Sequence, residues 1–444
     1  MSQFAPPEAV VLLLLESTEH PMHLGILELF RPPQGAGPDF ARNVYQTLRS
    51  FRDVSSGYSG HPVKTRRGTS PMRWTYGDHV DIDYHVRYAR LAAPGGRAEL
   101  FDVVDDLHSR LLDRTRPLWE CHVIDGLSDG RFALYLKAHH AMTDGVSGAK
   151  TLQEHMTTDP TDDRIRVGWT PRPEAVQTPV SHSQSAVKPA VGVKRSLQLM
   201  LSALRERELI PAMRAPRTVF NVAPGGPRRC AIQSWSLDRI GAVGEAAGVT
   251  INDVALAMCA GALRTYLAER NELPDAPLVA MAPVNLRGDE DDRRANVLGA
   301  AVCNLATDVN DPAKRLEAIH ASMKRNVQII REMPQQLAIE LAGLICAPIS
   351  GGKGLAARIP PVFNLTITHV RGRSEPLYWG GARVEGMHPL APTLRGQVLN
   401  FGLFSRADDV DFGIAASAAA VPDPERLTGH IETALKDLEL AVGL

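Results

Sequence analysis

Two histidines, a carboxylate and a glycine are packed into the segment His139-His140-Ala141-Met142-Thr143-Asp144-Gly145. An imidazole titrates near neutrality, so such a ring can take a proton from a hydroxyl and return it, as a general base does. Asp144 lies four residues beyond His140, so a turn after the preceding strand can return the carboxylate toward the imidazole or use it to brace the loop. Gly145 permits the unusual backbone angle that such a reversal can need. The same spacing admits a plainer arrangement, with Asp144 as the N-cap of a helix starting near Val146 and the paired histidines holding structure. A metal site built from His139, His140 and Asp144 fits poorly, because adjacent strand residues point to opposite faces. No Gly-x-Ser-x-Gly occurs in the chain, so the serine-nucleophile signature is missing. Spacing alone leaves catalysis and scaffold both open.

The elements that must position this segment are readable around it. Phe132, Leu134, Leu136 and Ala138 alternate with Ala133, Tyr135 and Lys137, the period-two pattern of a half-buried strand over Arg131 to His140. Parity puts His140 on the face of Phe132 and Leu134, so it is expected to be the better protected of the two histidines. A tight Ser128-Asp129-Gly130 turn joins this strand to another over Trp119 to Leu127. Before that, Leu100, Val104, Leu107 and Leu111 form a helical stripe, expected to stop at Arg116-Pro117.

The remainder divides by texture. Residues 1–158 alternate strand and helix signals. Residues 159–216 carry scattered prolines among Thr, Ser and Gln and read as a linker, inside which Lys194 to Ile210 has the pattern of a short basic amphipathic helix. Residues 217–444 again mix both periods. Thr250-Ile251-Asn252-Asp253 opens a helix with Leu256, Ala260, Leu263 and Leu267 on one face, and strand-like runs follow at 278–282, 297–305, 362–370, 398–404 and 410–415. The expectation is two α/β lobes of similar size.

Composition narrows the function classes. The chain has 444 residues, 49 basic against 50 acidic side chains, a formal charge of -1 and 44% hydrophobic residues. That balance gives no electrostatic footprint for nucleic acid. The five cysteines, Cys121, Cys230, Cys259, Cys303 and Cys346, stand singly without ligand spacing, which fits a reducing compartment and no metal. The aliphatic run from Ala9 to Leu15 lacks a basic flank and is far short of the roughly 20 residues that span a bilayer. Any membrane contact is therefore expected to be peripheral.

His139 to Gly145 matches in full the HHxxxDG motif of the bacterial wax ester synthase/acyl-CoA:diacylglycerol acyltransferase family, which the whole chain resembles. Further family patterns recur in order: Pro21-Met22-His23-Leu24-Gly25, Pro117-Leu118-Trp119-Glu120, Asn252-Asp253-Val254 and Pro283-Val284-Asn285-Leu286-Arg287. Asn285 replaces the usual serine of the last pattern, the family's Gly-Asn pair appears as Ala295-Asn296, and a late Ser-Asn-Val-Pro-Gly-Pro stretch appears as Thr368-His369-Val370-Arg371-Gly372-Arg373. Arg371 and Arg373 are read as solvated charges rather than phosphate ligands.

The resemblance implies an α/β fold of two lobes related to chloramphenicol acetyltransferase, with mixed sheets and a channel between the lobes. It implies direct acyl transfer from acyl-CoA, which is a substrate and not a cofactor, to diacylglycerol or a long-chain alcohol. His140 would be the base, with His139, Asp144 and Gly145 around it and Asn252 as oxyanion donor, although Asn252 equally suits a helix N-cap. Pro117, Leu118 and Trp119 would wall a substrate channel, or Trp119 would be a core anchor; Arg287 and Thr368 complete the substrate-binding set. A cytoplasmic protein touching the inner membrane face or a lipid droplet is the implied setting. The alternatives are an HxxxD-type acyltransferase with another hydroxyl acceptor and a non-catalytic lipid-binding relative.

Overall fold

A computed structural model describes residues 2–65, 72–77, 79–171, 215–285, 298–332, 361–393 and 396–444. Arg287, the Ala295-Asn296 pair and the expected helix at 194–210 lie outside the described residues. The chain forms two units: residues 1–182 with 370–392 and 403–413, and residues 183–369 with 393–402 and 414–444. These are not the contiguous spans 1–158 and 217–444 expected from texture. Long-range strand pairing, which leaves no local mark in the sequence, decides membership.

The first unit begins with β1 (Ser2–Phe4) and α1 (Pro7–Leu15), the helix into which the aliphatic run folds. It continues through β2 (His23–Arg31), α2 (Phe40–Ser50), α3 (Ser56–Ser59), β3 (Gly60–Lys64), β4 (Met72–Tyr76), α4 (Ile82–His85) and β5 (Val86–Arg90). Then come α5 (Arg97–Ser109), β6 (Trp119–Asp125), β7 (Phe132–His139) and α6 (Gly145–Glu154). Its main sheet has six strands in the order β12-β13-β2-β7-β6-β5, where β12 (Tyr378–Trp379) and β13 (Ala382–Leu390) arrive from far along the chain. All neighbours are antiparallel except β5 and β6, which run parallel, so the sheet is mixed as expected.

One face of this sheet is apolar: Phe30, Trp119, Cys121, Phe132 and Leu134 pack with Ala41, Val44 and Leu48 of α2. Val167 and Trp169 are buried in the same cluster, so the first residues of the expected linker belong to this core. The opposite face is also buried, under α5, and it is polar. Lys137 Nζ donates to Leu107 O at 2.9 Å and Arg110 O at 2.5 Å, capping the carbonyl end of α5. That cap accounts for α5 ending at Ser109, short of the expected Arg116-Pro117, with Arg110 already extended. His108 Nδ1 pairs with the Tyr135 hydroxyl at 2.8 Å, and His23 Nε2 contacts His108 O at 3.0 Å. A Cβ on Gly25 would stand 2.9 Å from Tyr135 Oη, so only glycine lets this belt close.

The second unit contains β8 (Arg228–Ser236), α7 (Leu237–Ala247), α8 (Ile251–Glu269), β9 (Val279–Asn285), β10 (Leu298–Asn304) and α9 (Pro312–Glu332). Three strands, β11 (Leu365–Arg371), β14 (Leu399–Arg406) and β15 (Asp409–Ser417), whose residues 370–371, 403–406 and 409–413 belong to the first unit, precede the final helix α10 (Pro424–Ala441). The second six-stranded sheet is ordered β10-β9-β11-β14-β15-β8, antiparallel at β10/β9 and parallel at β11/β9. Helix α8 is buried from Asp253 to Leu263 without a break, not along one stripe. Its Gly261 faces Ala434 of α10 so closely that an added Cβ would lie 2.7 Å from the alanine methyl. Cys121, Cys230, Cys259 and Cys303 are all buried.

Candidate active site

The chain enters the site along β7, which lies antiparallel to β2 with His139 opposite His23. β7 stops at His139, and His140 N–H donates to Met22 O at 2.8 Å as the chain turns. His139 is 0% exposed, whereas His140 is only half-buried. The expected order of protection is therefore reversed. Parity assumed a strand with one wet face, but α5 covers the side of Tyr135 and Lys137 and Glu16 faces the His139 ring, so this face is buried as well.

The two rings are held differently. Ala141 N–H donates to His139 Nδ1 at 3.0 Å, and His139 Nε2 faces Glu16 Oε1 at 3.3 Å. The His140 ring has no hydrogen bond to another side chain among the described residues. Burial lowers its pKa below the ordinary 6.5; its own backbone carbonyl and the Asp144 charge pull the other way, and His139 adds to the lowering. At neutral pH this ring is uncharged and can accept a proton.

Asp144 takes the plainer of its two expected roles. It is the N-cap of α6, accepting from Ser147 N and Ser147 Oγ, each at 2.8 Å. The helix starts at Gly145, one residue before the expected Val146. Gly145 itself is not among the residues of positive φ, and a Cβ there would meet no atom within 4 Å. The expected need for an unusual backbone angle is not met, and nothing around Gly145 explains the glycine.

Asn252 is not a helix cap. Thr250 caps α8, its hydroxyl accepting from Asp253 N at 3.2 Å while the Asp253 carboxylate takes Thr250 N and Oγ1. Asn252 sits on the first turn with its Oδ1 3.3 Å from His369 Nδ1. An acceptor engaged in this way leaves the amide N–H pair as donors. His369 belongs to the stretch that departs from the family pattern.

The proposed channel wall is packed as core. Trp119 stacks between His85, at 4.4 Å between ring centroids, and Trp169, at 5.0 Å, and its Nε1 donates to Tyr58 O at 2.9 Å. Leu118 is sealed among α1 residues and Ala141, and its carbonyl accepts His139 N–H at 2.9 Å. Pro117 precedes them in the loop before β6, its carbonyl accepting from Trp119 N at 3.0 Å. Thr368 lies on β11 with its hydroxyl 3.5 Å from Phe401 O. Arg371 and Arg373 are exposed, as expected for solvated charges.

Glu16, five residues before the Pro21-Met22-His23 pattern, escaped sequence reasoning although it touches the histidine segment directly. Arg114, which pairs with it at 2.8 Å, escaped as well. Neither follows a periodicity. The one available signal was an acidic residue directly ending an apolar helical run.

Residues 7–255 match the model of the wax ester synthase/diacylglycerol acyltransferase catalytic domain, and residues 295–439 match the WS/DGAT C-terminal domain. The chain belongs to this family. A probable diacylglycerol O-acyltransferase of Mycobacterium tuberculosis is 46% identical over 449 residues, spanning 99% of each chain. The wax ester synthase/diacylglycerol acyltransferase of Marinobacter aquaeolei VT8 superposes with a TM-score of 0.80 at 34% identity, covering 100% of both chains. A trichothecene 15-O-acetyltransferase of Fusarium sporotrichioides, at 15% identity, covers 100% of this chain and 95% of its own with a TM-score of 0.64, a likeness of fold alone. Within the WS/DGAT family fold, the expected two-unit α/β architecture with mixed sheets is what the chain adopts.

Proposed function

We propose that this protein transfers a long-chain acyl group from acyl-CoA to the free hydroxyl of diacylglycerol, giving triacylglycerol, and to fatty alcohols, giving wax esters. It is an O-acyltransferase of the WS/DGAT family. The observation that carries the assignment of the base is the contrast within one pair: His139 is sealed, with Nδ1 held by Ala141 N–H and Nε2 3.3 Å from Glu16 Oε1, while His140 presents a half-buried, uncharged ring.

In the reaction His140 takes the proton of the acceptor hydroxyl as that oxygen attacks the thioester carbonyl carbon. The carbonyl π electrons move onto oxygen, then return to expel the coenzyme A thiolate, which collects the proton from the imidazolium. No acyl-enzyme forms. The developing oxyanion needs a fixed donor worth on the order of 3 kcal/mol, and the Asn252 amide, with its oxygen already engaged by His369, supports that role. Asp144 acts through α6, fixing the turn that carries His140.

The acceptors are lipids, and α1 supports contact with a lipid surface. Its outward side exposes Val11 at 53%, Leu14 at 61% and Leu15 at 37%, beside Phe4 at 45%. No single described helix is long and apolar enough to cross a membrane. Peripheral association on the cytoplasmic side of the membrane, or with lipid droplets, follows as part of the same reading.

The test is the purified protein with labelled oleoyl-CoA and either dioleoylglycerol or hexadecanol, following thiol release and resolving the lipid products. Ester is expected, and His140→Ala should lower turnover by about 10²–10⁴-fold. Near-normal turnover by His140→Ala overturns the base, and free fatty acid without ester from either alcohol points to a hydrolase instead.

A further inference from the structure

The Glu16 side chain is 1% exposed and spends both oxygens on the histidine segment and its support. Oε1 accepts Met22 N–H at 3.1 Å and stands 3.3 Å from His139 Nε2. Oε2 accepts from Arg114 Nε at 3.0 Å and Nη2 at 2.8 Å, while the same Nη2 reaches Leu13 O at 2.5 Å.

Hydrogen-bond bookkeeping fixes the His139 tautomer. Ala141 N–H donates to Nδ1, so that nitrogen holds a lone pair and the ring proton sits on Nε2, 3.3 Å from the carboxylate in a close polar contact without hydrogen-bond alignment. The contacts then run in two branches from one oxygen. Through Met22, whose carbonyl accepts His140 N–H at 2.8 Å, Glu16 fixes the backbone of His140 from the β2 side. Through the His139 ring and Ala141 N–H, it fixes the residue that follows.

We propose that Glu16, neutralised by Arg114, is the positioning residue that holds His140 in register for proton transfer. The proposal rests on His140 being the base. A carboxylate buried this deeply is costly unless paired and hydrogen-bonded, and Arg114 supplies both charge and a forked donor. A general base must stand within about 0.5 Å of its productive place, and a misplacement of about 1 Å can cost about 10²-fold in rate.

Full-length Glu16→Gln, Glu16→Asp, Glu16→Ala and His140→Ala proteins would be compared with oleoyl-CoA and dioleoylglycerol. Glutamine keeps an acceptor oxygen for Met22 and His139 but sets its NH2 against the Arg114 donors, so stability should fall while kcat of the folded protein stays within about tenfold of the parent. Alanine removes both contacts, and aspartate draws the carboxylate back by one methylene while keeping the Arg114 pair. For these two, kcat should fall by about 10²-fold with KM for oleoyl-CoA held within about twofold. Aspartate preserves the charge pair and carries the test if alanine fails to fold. Nitrogen-15 spectra of the ring should show His139 protonated at Nε2 in the parent and a tautomer mixture in Glu16→Ala.

Folded Glu16→Asp or Glu16→Ala protein with parental kcat overturns the inference, as does a parent His139 protonated at Nδ1. If those variants are fully active while His140→Ala is inactive, only the inference fails. If His140→Ala is itself fully active, the base assignment fails and takes the inference with it.

Discussion

Asp144 grips Ser147 with both carboxylate oxygens, Oδ1 on the backbone N–H and Oδ2 on the hydroxyl, each at 2.8 Å. The acidic residue of the histidine motif is therefore tied forward into α6 and sets where the turn after His140 ends. Asp144→Asn keeps an acceptor for the backbone N–H and a donor for the hydroxyl, and should melt close to the parent. Asp144→Ala should lose about 1 kcal/mol of stability and part of kcat, read by thermal melting and steady-state rates. Equal melting of the alanine and asparagine proteins would contradict the cap.

The pH dependence follows from His140. With His140 as the proposed base, catalysis needs its neutral form, and burial lowers its pKa from the ordinary 6.5. Lowering the pKa extends the neutral form to more acidic solution, so the acid limb of kcat/KM should fall below pH 6.5. A limb at or above that value, measured with saturating diacylglycerol, would speak against this ring as the base.

Glu28 is a buried carboxyl on β2 whose pKa is raised by desolvation to about 8 from the usual 4.5. Below pH 4.5 it is protonated whether the chain is folded or not. As pH rises toward 8 the unfolded chain releases the proton while the folded one keeps it, so folding stability falls across that window. Glu28→Gln removes this slope. Urea unfolding should find it nearly equal to the parent at acid pH and more stable near pH 8, by on the order of 3 kcal/mol.

Gly25→Ala tests the polar belt. The new methyl would lie 2.9 Å from Tyr135 Oη, 3.0 Å from Tyr135 Cε2 and 3.1 Å from His108 Nδ1, in a layer where both side chains are buried. Relief requires breaking the Tyr135–His108 hydrogen bond or shifting β2, at a cost of about 1–3 kcal/mol. Denaturant melts measure this, and a neutral substitution would mean that the belt is softer than its packing.

The sequence made legible whatever is local. The strands at Trp119–Asp125 and Phe132–His139 were readable because apolar alternation is broken by Gly130, and the helix at Ile251–Glu269 because Thr250 and Asp253 signal its start. Which histidine is sealed was not readable, because alternation marks two faces but cannot say that both are covered. Asn252 and Thr250 are both good caps by composition, and only the Thr250–Asp253 exchange decides between them. Glu16 and Arg114 are 98 residues apart, a pairing that no window on the sequence contains.

The seating of β13 against β2 has a bearing on how the molecule is made. Synthesis runs from the N-terminal side, yet the border of the first sheet stays raw until Ala382–Leu390 has emerged, long after the histidines themselves. The stretch 7–255 that carries the catalytic-domain match cannot finish its own ladder and, cut free, would offer β2 as a sticky seam to any passing strand. Completion of the sheet that carries His140 thus waits on residues translated some two hundred and fifty codons later, roughly half a minute of nascent life at ordinary elongation rates.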